Sequence, residues 1–158
     1  RAGLTILSNQ ALRLDCNRQL QQDLNGSGIC LAGADDLWYG KCSLAKTLEG
    51  VPPDLARLVM AHNPDTAERQ SDNQLNLMIS GHTHGGQVRV PLLGAPLVPS
   101  DFGSKYLHGI VLGPNFPVMI TRGLGVTGLP IRIGAPPEIS LLTLTAHPIP
   151  ETSDYSSG

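Results

Sequence analysis

Two imidazoles stand two residues apart in Ser80-Gly81-His82-Thr83-His84-Gly85-Gly86-Gln87, directly after the apolar run Leu77-Met78-Ile79. Such a run reads as a buried strand, and residues two apart in an extended chain project to the same side. His82 and His84 can therefore serve one metal cluster, imidazole being a common metal ligand. Gly81, Gly85 and Gly86 carry no Cβ, so the backbone can turn sharply there and an ion can approach it. A third histidine, His62, ends another apolar run, Leu58-Val59-Met60-Ala61, and precedes Asn63-Pro64. One histidine at a strand end is ordinarily a hydrogen-bonded boundary residue. Three at two strand ends point to a metal shell.

The elements needed to hold these residues are legible around them. Strands are expected over residues 57–61 and 75–80. A helix precedes each, over 43–48 with Ser43 as cap and over 64–70 opened by Pro64. This alternation argues for α/β layering. Earlier strands are expected at 4–7, 12–14 and 29–31, with Asn25-Gly26-Ser27-Gly28 as a turn; Asn25-Gly26-Ser27 also spells a glycosylation acceptor, for which the turn is the preferred reading. Beyond His84, Pro91, Pro96 and Pro99 with Gly94 and Gly103 make a long irregular loop suited to the rim of a site. Strands 107–112 and 117–121 should pair across Gly113-Pro114-Asn115, and 138–144 should form a last strand. Residues 147–158 read as a frayed tail behind a single domain of residues 1–146.

Composition narrows the function classes. A chain of 158 residues can bury roughly 70% of its unfolded surface, enough for one core. With 11 basic against 13 acidic residues and 4% aromatics, neither a nucleic-acid footprint nor a base-stacking surface is evident. No apolar run approaches the roughly 20 residues that span a bilayer. Cys16, Cys30 and Cys42 suggest neither a disulfide framework nor a zinc ribbon, and fit a reducing compartment. Gly123-Leu124-Gly125-Val126-Thr127-Gly128 imitates a dinucleotide fingerprint, but Leu129-Pro130-Ile131-Arg132 cannot open the helix that such a site requires.

Gly81-His82-Thr83-His84-Gly85-Gly86-Gln87, together with Ala61-His62-Asn63-Pro64-Asp65, resembles the two C-terminal signature blocks of the calcineurin-like metallophosphoesterases. Further stretches are similar to one bacterial branch, the membrane-associated phosphoesterases that include relatives of the lipid A pathway pyrophosphatases. They are Leu31-Ala32-Gly33-Ala34-Asp35-Asp36, Tyr106-Leu107-His108-Gly109, Thr121-Arg122-Gly123-Leu124-Gly125, Pro130-Ile131-Arg132 and Pro137-Glu138-Ile139. The resemblance implies an α/β fold, specifically the C-terminal half of a four-layer α-β-β-α sandwich. The family's Asp-x-His, Gly-Asp-x-x-Asp and Gly-Asn-His blocks precede the segment matched here and do not occur in it. The expectation is therefore the C-terminal half of an enzyme, whose general-acid histidine and bridging aspartate belong to the missing N-terminal half.

The same resemblance implies two divalent ions that supply a hydroxide for attack on phosphorus and neutralise its oxygens. His62 and His82 would ligate one and His84 the other. A mixed imidazole and carboxylate set suits manganese, iron or zinc more than calcium or magnesium. Arg122 and Arg132 could grip phosphate or be ordinary surface arginines. Asp35 and Asp36 could orient a ligand or form a turn or helix cap. His108 and His147 match no ligand block and read as structural or exposed. The implied reaction is hydrolysis of a phosphomonoester, phosphodiester or pyrophosphate in a phosphorylated small molecule or lipid-linked substrate, in the cytoplasm or peripherally at a bacterial envelope membrane. The alternative is a non-catalytic metal-binding or interaction module derived from that fold.

Overall fold

The computed structural model of the chain describes residues 4–70 and 74–145. Seven strands form one sheet: β1 (Gln10–Leu14), β2 (Leu20–Gln21), β3 (Ile29–Gly33), β4 (Ala56–Met60), β5 (Leu77–Ser80), β6 (Gly109–Leu112) and β7 (Pro117–Ile120), in the order β2-β1-β3-β4-β5-β7-β6. The central four, β3, β4, β5 and β7, are parallel; β1, β2 and β6 add antiparallel edges. Two short helices, α1 (Leu44–Thr47) and α2 (Thr66–Arg69), sit in the crossovers before and after β4. Ser43 caps α1 through its hydroxyl, which accepts from the Lys46 N–H. This is a mixed α/β sheet with few helices.

Because side chains alternate along a strand, the register assigns two faces. Cys30 and Ala32 of β3, Val59 of β4, Met78 and Ser80 of β5, and Val118 and Ile120 of β7 share one face. That face is closed by Leu44, Leu48, Val51, Leu55 and Ala67 from the helical crossovers, with Tyr106 and Phe116 completing the core. The other face carries Leu12, Leu31, Leu58, Met60, Ile79, Ile110 and Leu112, and is only partly covered: Ile110 and Leu112 are 72% and 73% exposed.

The strands expected at 4–7 and 138–144 do not form. Neither segment has a ladder partner among the described residues, because each passes near the partly covered face instead of joining an edge. Leu7 packs so closely over Gly33 that a Cβ there would lie 2.6 Å from the Leu7 Cβ. Thr143 and Leu144 line a groove with Ile29, Leu58 and Leu77. The hairpin strand β2 was not anticipated; Asp15 builds its turn by accepting from the Asn17 and Gln19 N–H groups. The other expected elements occur, with shorter helices. No helix among the described residues is long and apolar enough to cross a membrane. His147 and the expected tail lie outside the described residues.

Candidate metal centre

Open α/β sheets hold ligands beyond the carboxyl ends of their parallel strands, and here four such ends converge. Asp35 and Asp36 follow β3, His62 follows β4, His82 follows β5, and Arg122 follows β7. Backbone bonds carry the sheet's order up to that level: Ala61 N–H donates to Ile79 O, Gly81 N–H to His62 O, and Thr121 N–H to Ser80 O. His62 and His82 are thereby delivered side by side, with His62 Nε2 and His82 Nδ1 3.2 Å apart.

The backbone is strained where the histidines leave the sheet. His82, His84 and Gln87 adopt φ of +65°, +51° and +48°, a region that residues with a Cβ seldom occupy. The Thr83 N–H reaches back to Gly81 O, closing a three-residue turn centred on His82. Such conformations persist only when their surroundings fix them, and they concentrate at functional sites. Gly85, at φ +65°, lets Arg122 pass: a Cβ there would lie 2.5 Å from the Arg122 Cγ.

Three of the buried side-chain atoms without a hydrogen-bond partner among the described residues, Asn63 Nδ2, Ser80 Oγ and His82 Nε2, come from these same two strand ends. A buried polar atom without a partner costs about 1–3 kcal/mol. Burial, and then the neighbouring His62, push His82 below the ordinary imidazole value, which favours its neutral form. Two imidazole nitrogens, His82 Nδ1 and His62 Nε2, standing this close together fit a transition-metal ion, while the unpartnered Nε2 of His82 lies on the other side of its ring. Two nitrogens do not complete a shell. Among the described residues no group of three or more histidine, cysteine, aspartate or glutamate side chains is gathered closely enough to hold an ion.

His84 is turned elsewhere. Its Nδ1 lies 3.2 Å from Gly125 O and its Nε2 3.0 Å from Thr127 Oγ1. Arg132 organises that loop: its guanidinium donates to the carbonyls of His84, Arg122, Gly123, Gly125 and Ala135. Arg122 pairs with Glu138 at 2.7 Å. Asp35 and Asp36 spend their carboxylates on their own loop, Asp36 accepting from the Trp38 and Tyr39 N–H groups. The Tyr39 amide, ahead of the nearby His62 and His82, holds Asp36 below the usual carboxylate range. His108 is exposed and meets Arg89 at 3.3 Å.

Several contributors escaped the sequence reading. Trp38 stands against His82, and Asp65, fully buried, accepts from the Ser100 hydroxyl and the Asp101 N–H, tying the proline-rich loop to the His62 segment. Gln87 clasps the glycine loop through Thr127 and Leu129. Only Asp65 and Gln87 had a signal, each standing three residues beyond a histidine in a stretch that resembles the family's signature blocks.

Comparison with known proteins places the chain in a family. The chain is 40% identical over 145 residues to phosphodiesterase YaeI of Escherichia coli, covering 90% of this chain and 48% of that protein. It is 38% identical over 120 residues to metallophosphoesterase YkuE of Bacillus subtilis, covering 76% and 42%. It is also 34% identical over 151 residues to a bovine transmembrane protein with metallophosphoesterase domain, covering 90% and 33%. No family model and no solved structure matches the chain. The chain spans less than half the length of each of these relatives, and from identities of this size across most of its own length it belongs to the metallophosphoesterase family.

Proposed function

We propose that the chain contributes to a metal-dependent phosphoesterase that hydrolyses a phosphomonoester, phosphodiester or pyrophosphate at a binuclear centre. The observation that carries this reading is the apposition of His62 Nε2 and His82 Nδ1 at 3.2 Å at the carboxyl ends of two adjacent parallel strands. His62 and His82 would ligate one ion, and His84, its Nδ1 held by Gly125 O, would ligate the other through Nε2 in place of its contact with Thr127 Oγ1. Manganese, iron or zinc suits these nitrogen donors. Bound ions would supply an activated hydroxide and neutralise the phosphoryl oxygens. Arg132 holds the His84 carbonyl and loop 122–125 together, which keeps the ring in place.

We infer further that the partly covered sheet face receives the N-terminal half of a four-layer sandwich bearing the remaining ligands. An apolar face of this kind is rarely left to solvent, and the chain spans under half of its relatives' length. By itself the chain would bind at most one ion weakly and lack activity. The test is hydrolysis of bis(4-nitrophenyl) phosphate by the full-length protein. Chelator-sensitive turnover should be abolished by His82→Ala and by His84→Ala, with the fold intact by circular dichroism. Retention of metal content and rate in His82→Ala would overturn the assignment.

A further inference from the structure

Beside His84 lies a cleft of about 440 Å³ walled by Val88, Pro96, Leu97, Pro99 and Leu129. Its volume falls in the range of small-molecule sites. The polar groups along it already have partners. Gln87 Nε2 donates to Thr127 O and Leu129 O while its Oε1 accepts from Thr127 N–H, and Thr83 Oγ1 donates to Leu107 O. A polar ligand would find little to bind except at one end, where His84 Nε2 meets Thr127 Oγ1. Apart from these partnered groups the wall is largely carbon.

The cleft is also preformed and left open to solvent. Its two sides are joined by Arg89 N–H to Ile133 O and Ile133 N–H to Gln87 O, and prolines on the 88–99 side limit collapse. Yet Leu97 is 81% and Leu129 68% exposed. Their side chains contribute no core packing, so burial against a ligand is the gain available to them.

We propose that this cleft is a specificity subsite for an alkyl substituent of the phosphoester, with the chain lying along Leu97 and Leu129 and the phosphate end at His84. This deepens the phosphoesterase reading and rests on it for the phosphate end. The source of the chain can be a free apolar ester or a membrane lipid.

The test uses the full-length protein in two arms. In the first, hydrolysis of 4-nitrophenyl alkyl phosphodiesters from methyl to octyl should rise about two- to fourfold in kcat/KM per methylene before levelling. Leu97→Ser and Leu129→Ser should flatten that slope, whereas Leu20→Ser at the far sheet edge should preserve it. Both target side chains are exposed, so the folds should hold. In the second, calorimetry follows binding of alkylphosphonates, monomeric or carried in phosphatidylcholine vesicles, and needs no turnover. Chain-length-dependent binding of the monomer assigns a free ester; such binding only from vesicles assigns a lipid; either supports the cleft if Leu97→Ser weakens it. Affinity independent of chain length, or indifferent to both substitutions, overturns the proposal. Absence of hydrolysis with chain-length-dependent binding intact would instead count against the phosphoesterase reading alone.

Discussion

Trp38 stands edge-on to His82, the ring centroids 4.6 Å apart and the planes at 83°. It is the chain's one tryptophan, so its fluorescence reports on a single imidazole. Protonation of an adjacent imidazole quenches indole emission. Burial and the neighbouring His62 push His82 below the ordinary value of 6.5, and the quenching midpoint should fall below that value and disappear in His82→Gln. The sign for stability follows. The unfolded state binds the proton more readily, so stability from this group is full above pH 6.5 and declines as pH falls below it. A midpoint at or above the ordinary value would refute the burial of this ring.

Arg132 reaches five carbonyls with one planar fork. Arg132→Ala should lower unfolding stability by about 2–3 kcal/mol, since a bond from a charged donor is worth more than a neutral one. Arg132→Lys should recover little, because an ammonium cannot span the same set of acceptors. Urea unfolding of the three proteins decides it; near-equal midpoints would show that the carbonyls find water without cost.

Glu68 links α2 to the 103–106 turn by accepting from Lys105 Nζ at 2.5 Å and from the buried Tyr106 hydroxyl at 2.6 Å. Burial alone would raise this carboxyl, but the two hydrogen bonds outweigh it and hold Glu68 below its ordinary value of 4.5. Burial first, and then the bond to Glu68, push the Tyr106 phenol up. A depressed folded value means that the contribution is present above pH 4.5 and lost as pH falls through the folded value. Glu68→Gln should therefore cost about 1–2 kcal/mol at pH 7 and progressively less in acid. An equal deficit at both ends of the pH range would sink the ionised-carboxylate account.

All the strands but β2, and both helices, were legible because apolar runs, Ser43 and Pro64 act locally, through side-chain period and capping. His62 and His82 were legible for the same reason, each following a run that reads as a buried strand, and His84 by its spacing from His82. Strands at 4–7 and 138–144 were misread because apolar composition cannot tell whether a ladder partner exists. That depends on which sheet edge is free. The paired strand order likewise had no local signal: β5 neighbours β7, with β6 outside it, because the 88–106 loop crosses and is pinned by Asp65 and Glu68.

Residue type determined that His62, His82 and His84 could do metal chemistry. Tertiary structure decided which of them meet. Parallel pairing of β4 with β5 brings His62 to His82, whereas the positive φ at His84 aims its ring at Gly125 and Thr127. Spacing of two predicts a shared side only while the backbone stays extended, and strain in the turn cancels that condition. Arg132 and Asp36 show the same division. Their charges were visible in the sequence, but the carbonyls and amides that consume them come together only after the loops have closed.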